Sequence, residues 1–289
     1  MLSGMNSEFQ SFSPRNEELK KNIAYFYFDK SENHLFEKKY SFFPHTHTTL
    51  TFYKKASITE NDGLYNINHS CDENMLMLLT RQQSIKTVLQ KGLLDKIGIV
   101  FYATGLNHFL KEPYCSLAKQ EVQIFSPVNE REWRETVTQC FSASNNAQRQ
   151  EIMESFLCRL FKPKNFHTLY KVIEILSDVS NTQTIKNIAQ SVYISPRKLN
   201  RDFKKELAIT PEMFRVISRF RHIVNEKAVL GGSKRFTELA HESGYFDQAT
   251  LTKTFRRFTT LSPKDFFRKC YPIGQNGTVW HFHDTKNVV

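Results

Sequence analysis

The chain has 289 residues, with 40 Lys and Arg against 29 Asp and Glu and a formal net charge of +11. It is long enough for two domains, and its basic balance favours a polyanionic partner, nucleic acid or an anionic surface. Cys71, Cys115, Cys140, Cys158 and Cys270 lie far apart with no Cys-x-x-Cys pair, which argues against a disulfide framework or a zinc-type cluster; with no basic-then-apolar leader and no window near the roughly 20 apolar residues that span a bilayer, a soluble cytoplasmic protein with no membrane partner is expected.

From about Ile23 to Pro127 the pattern reads as strands. Runs such as "IAYFYF", "LTFYKKASI", "GLYNI", "NMLMLLT", "IKTVLQ", "DKIGIVFYA" and "EVQIF" are separated by turn-type clusters such as "SENH" and "ENDG", a pattern that predicts an antiparallel barrel or sandwich. "GLNHFLKEPY" is a short helix or loop within it. After Pro127 the period becomes helical: Trp133, Val137, Cys140 and Phe141, then Ile152, Phe156, Leu157 and Leu160, predict two amphipathic helices within 128–162. "KPKN", Lys162 to Asn165, is a linker, and everything up to residue 272 is helical in pattern. The tail 273–289 looks peripheral.

The C-terminal part contains a repeat. "QSVYISPRKLNRDFKKELAITPEMF", Gln190 to Phe214, is echoed by "SGYFDQATLTKTFRRFTTLSPKDFF", Ser243 to Phe267, with Leu199 answering Leu251, Phe203 answering Phe255 and Pro211 answering Pro263. Each copy predicts a short helix (185–191; 236–242), a tight turn and a second helix. Ser195 followed by Pro196 caps the first of these second helices and Asp247 the other. Ala189 and Ala240 are small enough for close helix contact, as in a helix-turn-helix that seats its second helix in a major groove. Between the copies, Thr210 and Pro211 open a helix of about twenty residues ending at Gly231, roughly 30 Å long, close to the roughly 34 Å between successive major grooves. Residues 166–270 carry nineteen Lys and Arg against ten Asp and Glu, so +9 of the net charge lies here.

On these residues the last hundred positions resemble the DNA-binding domain of the AraC/XylS family of transcription regulators, in which two helix-turn-helix units are joined by a long helix. Ala240, Gly244-Tyr245, Leu251, Phe255, Ser262-Pro263 and Phe266 stand in the order of the family signature. The first copy departs twice: Tyr193 stands where the family often has the turn glycine, and Ala208 replaces a glycine before Pro211. Either that turn has another geometry or it tolerates a strain of about 1 kcal/mol. The segments "FPHTHTTLTFYKK" and "LLTRQQSIKTVLQKGLLDKIGIVFYATGLNHFLKEP" resemble the β-barrel domain, of unknown ligand, that precedes the reader in some family members. The implied fold class is α+β: an N-terminal antiparallel β-barrel or cupin-like domain (1–127), coupling or dimerisation helices (128–162), an all-α double helix-turn-helix domain (163–272) and a C-terminal tail.

The implied function is that of a sequence-specific regulator of transcription, an activator with no enzymatic activity and no cofactor. Its partners would be double-stranded DNA, a small-molecule effector, RNA polymerase and a second copy in a homodimer. Carried over by position, the first recognition helix presents Arg197, Asn200 and Arg201 and the second Gln248, Thr250, Thr252 and Lys253, while Lys198, Lys204, Arg256 and Arg257 read as phosphate contacts or solvated charges. The chemistry is apt without the family: Arg matches guanine O6 and N7, Asn or Gln matches adenine N6 and N7, and a Thr methyl packs on thymine. Leu199, Phe203, Leu251, Phe255 and Phe258 are core. His45 and His47 alternate on a strand as metal ligands can, but only His34 and His69 are offered as further ligands, so no metal site is assigned. His281 and His283 in the tail earn no assignment either. The competing reading is a metal-dependent cupin-type enzyme fused to a DNA-binding domain; a non-specific architectural binder is a third.

Overall fold

The computed structural model describes residues 7–71, 75–273 and 278–283. The N-terminal half is built from β1 (Glu8–Phe12), α1 (Glu17–Lys20), β2 (Ile23–Ser31), β3 (Glu37–Phe42), β4 (Thr48–Tyr53), β5 (Ala56–Asn61), β6 (Leu64–His69), β7 (Leu76–Arg81), β8 (Lys86–Lys91) and β9 (Leu94–Phe101). A 3-10 turn (Gly105–Phe109), α2 (Tyr114–Leu117) and β10 (Val122–Ile124) come next. The helices α3 (Glu130–Ser142) and α4 (Asn146–Leu160) complete it.

The strands form two sheets, and the expected barrel is not there. One sheet runs β1-β2-β9-β4-β7-β10; the other contains β3-β8-β6-β5 and two further strands from the far end of the chain. The two sheets stay open, and β6 pairs with β8 in parallel, so the second is mixed rather than antiparallel. The long run "IAYFYF" is explained by position. β2 lies inside the first sheet and is buried on both faces, with Phe26 and Phe28 facing α3 and α4 while Tyr25, Tyr27 and Asp29 face the other sheet. Trp133, Val137, Phe156 and Leu157 fill the helix-facing core. The apolar faces of α3 and α4 are therefore consumed by the sheet, and the dimer or coupling contact expected of them would have to use their polar outer faces.

The C-terminal half contains α5 (His167–Ser177), α6 (Ile185–Ser191), α7 (Pro196–Leu207), α8 (Pro211–Val224), a π-helical turn (Asn225–Val229), α9 (Phe236–Glu242), α10 (Gln248–Thr259) and α11 (Pro263–Lys269). The expected twenty-residue central helix is thus α-helical for fourteen residues and continues as the π turn. Phe214, Ile217, Phe220 and Val224 form its buried stripe, and Ala228, in the π turn, is only partly buried. No helix among the described residues is long and apolar enough to cross a membrane.

The tail is not peripheral. β11 (Cys270–Ile273) continues straight from α11, and β12 (Thr278–His283) returns to pair with β3, Trp280 against Phe42 and Phe282 against Tyr40. The end of the chain thereby completes the N-terminal sheet. Trp280 stacks on Tyr40 with ring centroids 4.2 Å apart, and Ser41 Oγ lies 2.8 Å from His283 Nε2. The linker Lys162–Asn165 is also held: His108 Nδ1 accepts from the Lys164 amide at 3.0 Å, leaving Nε2–H to donate to Tyr170 Oη at 2.8 Å.

Candidate nucleic-acid interface

Both copies of the repeat fold by the same local devices. In the first, Thr184 caps α6 by accepting from the Asn187 amide, the chain turns at Tyr193, and Ser195 caps α7 by accepting from the Lys198 amide at 3.1 Å with Pro196 at the first helical position. In the second, the chain turns at Gly244 and Asp247 caps α10 by accepting from the Thr250 amide at 2.7 Å. Each such cap stabilises by about 1 kcal/mol. The turns close identically: the Ile194 amide donates to Ala189 O at 3.0 Å, and the Tyr245 amide to Ala240 O at 2.9 Å. Of the two alternatives for Tyr193, the structure shows the regular geometry with the strain tolerated, because its φ is +59° and that of Gly244 +68°.

The symmetry continues through the helices. α7 ends at Ala208 and α10 at Thr260, both left-handed with φ of +50° and +63°. Thr210 and Ser262 then cap α8 and α11, each followed by Pro. Leu199 and Phe203, like Leu251 and Phe255, point inward one helical turn apart and are fully buried.

Opposite these core positions lie the outward faces. Arg197, Arg201 and Lys204 are exposed on α7, and Gln248, Thr250, Lys253 and Arg256 on α10. Two of the expected base readers are partly occupied within their own helix. Asn200 Nδ2 donates to Pro196 O at 3.0 Å, and Thr252 Oγ1 donates to Gln248 O at 2.9 Å, which leaves the Thr252 methyl as its free contact group. Lys198 is tied to Asp202 at 2.5 Å. The repeat also brings out a residue that sequence reasoning misses. Lys205 stands 52 positions before Arg257, as Lys204 stands before Arg256, and both Lys205 and Arg257 are exposed. The same offset of 52 would have found it.

The N-terminal half grips the C-terminal end of α7. Arg81 Nη1 and Gln83 Nε2 donate to Ala208 O at 2.7 and 2.9 Å, and Asn107 Nδ2 donates to Glu206 O at 3.0 Å. A guanidinium at helix-terminal carbonyls is favoured by the helix dipole. Beside this grip, the His45 and His47 rings lie tilted against each other with centroids 3.8 Å apart and line a pocket with Arg221 of α8. Burial and the Arg221 charge hold both imidazoles neutral, His47 down to about 3. A metal ion there would meet the guanidinium, and no group of three metal-ligating side chains exists among the described residues.

Between the sheets lies a cavity of about 70 Å³, room for about five water molecules, lined by Tyr25, Tyr27, Tyr40, Tyr53, Gln82 and Trp280 among others. At its margin Asp29 accepts from Lys38 at 2.9 Å and pairs with Lys96 at 3.1 Å, all three buried. One carboxylate faces two ammoniums, so the cluster is net cationic. Burial pushes Lys38 down to about 8; Lys96, for all its burial, is held above the ordinary lysine range by Asp29 and the tyrosines around it.

Comparison with known proteins matches residues 188–269 to the family model of a helix-turn-helix domain. No curated protein matches the chain. Among solved structures, the fold is similar to that of ToxT from Vibrio cholerae bound to an unsaturated fatty acid, at 11% identity over 92% of this chain and 97% of that one, with a TM-score of 0.43. It is also similar to the C-terminal domain of AraT, a response regulator from Geobacillus stearothermophilus, at 18% identity over 38% of this chain and 92% of that one, with a TM-score of 0.35. An AraC-type regulator from Chromobacterium violaceum aligns at 19% identity over 35% of this chain and 90% of its own, with a TM-score of 0.31.

Proposed function

Because an AraC-type helix-turn-helix domain occupies the C-terminal region, we propose that the protein is a sequence-specific DNA-binding regulator of transcription whose two recognition helices, α7 and α10, enter adjacent major grooves. The observation that carries this reading is the repetition itself. Two turns with the same hydrogen bond, two capped helices and two left-handed ends each turn a basic, polar face outward. A single basic face would serve a non-specific binder equally well; two faces built on one plan, bearing different side chains, suit an asymmetric operator with half-sites about 10 base pairs apart. The cavity between the sheets is where a small effector would act, and RNA polymerase and a second copy are the further partners in this reading.

Arg201 and Lys204 test it. On a duplex recovered by selection from random sequence, Arg201→Ala should cost about 1 to 3 kcal/mol and relax preference at one base pair, while Lys204→Ala should weaken cognate and scrambled DNA alike and reduce the salt slope by about one. Footprinting should show protection over about two helical turns. Equal losses on cognate and scrambled DNA for both variants would instead favour the non-specific binder.

A further inference from the structure

The two most exposed aromatic rings among the described residues sit in the corresponding turns of the two readers. Tyr193 is 96% exposed and Phe246 89%. Each stands in the turn that leads into a recognition helix, Tyr193 two residues before the cap Ser195 and Phe246 one before the cap Asp247. The copies reach this arrangement by different routes. In the first, the ring replaces the glycine of the left-handed corner; in the second, Gly244 keeps the corner and Phe246 is the one residue by which this copy is longer.

Neither ring has a local reason to be there. Tyr193 holds a φ of +59°, a conformation that glycine adopts at no steric cost, and neither side chain makes a hydrogen bond or ring contact among the described residues. A residue that is unfavourable for its backbone and unpacked by its own fold is the kind of violation found at functional positions. A solitary exposed ring needs no explanation. Two in corresponding turns, one of them strained, do.

The neighbouring chemistry names the partner. A recognition helix enters the groove by its N-terminal end, so a ring just ahead of that end lies at the groove's lip, beside the sugar–phosphate wall. The adjoining faces carry Arg197, Arg201 and Lys204 on one helix and Lys253 and Arg256 on the other, all exposed, which fits a polyanion rather than an apolar protein surface. Resting on the DNA-binding reading above, we propose that Tyr193 and Phe246 are DNA-contacting residues whose rings pack on the deoxyribose backbone at the edge of each half-site, with the Tyr193 hydroxyl donating to a phosphate oxygen.

The experiment sets affinity against stability. Binding of a fluorescein-labelled duplex recovered by selection is measured for Tyr193→Gly, Tyr193→Phe, Phe246→Ala and Arg201→Ala, with melting temperatures for all four. Tyr193→Gly should hold or raise the melting temperature while weakening binding at least fivefold, a divergence that a purely structural role does not produce. Phe246→Ala should weaken binding by a similar factor at unchanged melting temperature, and Tyr193→Phe, which keeps the ring contact but loses the hydrogen bond to phosphate, should weaken binding by less than Tyr193→Gly does. If Arg201→Ala weakens binding but Tyr193→Gly and Phe246→Ala do not, the rings do not touch DNA and the proposal is overturned. If none of the variants changes binding, the DNA-binding reading of this face falls as well.

Discussion

Tyr193 and Gly244 occupy equivalent corners under different constraints. Both need a left-handed backbone, but at Gly244 a Cβ would come within 2.6 Å of Val179 O and 2.8 Å of Arg219 Nη2, whereas Tyr193 projects into solvent. Arg219 is fixed there because its Nη2 donates to Asn181 O at 3.1 Å. Only the second corner is therefore closed to side chains. Gly244→Ala should cost about 2 to 4 kcal/mol, backbone strain and overpacking together, measured as a shift of the urea midpoint without a change in slope. A cost under 1 kcal/mol would mean that Arg219 moves aside. The sequence shows a glycine in one copy and a tyrosine in the other; it does not show that φ is the same in both, because the difference lies in a neighbour 65 positions away, at Val179.

At the scale of elements, legibility tracks how local the determinants are. α7, α8, α10 and α11 are readable because caps, prolines and a helical period all fall within a dozen residues. β3 is hidden because Glu37, Lys38 and Lys39 read as a polar surface, while Lys38 is in fact buried against Asp29. β12 reads as a loose tail although "TVWHFH" has the aromatic and β-branched content of the recognised strands. The grip on α7 is not legible, since its partners lie 127 and 125 positions apart. Arg81→Ala removes a charged donor from the carbonyl that ends α7 and should cost about 1 to 3 kcal/mol. Amide exchange in the last turn of α7 should rise while that of α10 stays unchanged. Equal exchange in both helices would show that Gln83 holds the end of α7 without Arg81.

Across the whole molecule, the seam between the halves should weaken in acid. His45 and His47 face Arg221 and each other, and burial with the Arg221 charge holds both below the ordinary histidine range. In the unfolded chain these imidazoles take up protons near pH 6.5; in the folded chain His47 does so only near 3. Stability from this seam is thus fully present above pH 6.5 and is lost as pH falls toward 3. Thermal melts of the full chain between pH 7 and 4 should decline, and His47→Gln, which cannot protonate, should flatten that decline. A slope unchanged by the substitution would assign the acid loss to other groups. The sequence suggests the histidine pair but places it on a strand; in the structure both residues lie in the loop before β4, where the His47 amide donates to His45 Nδ1 at 3.1 Å, and the arginine opposite, from residue 221, cancels the metal chemistry that the pair alone invites.

The pairing of β12 with β3 also has a consequence for how the protein is made. Ser41 and its partner His283 are 242 positions apart, so at synthesis rates of roughly 5 to 20 residues per second, β3 leaves the ribosome on the order of ten to fifty seconds before its neighbour exists. Through that interval the nascent sandwich presents an open edge, the arrangement most prone to pairing with other chains. Newborn chains should therefore depend on holding chaperones until translation ends.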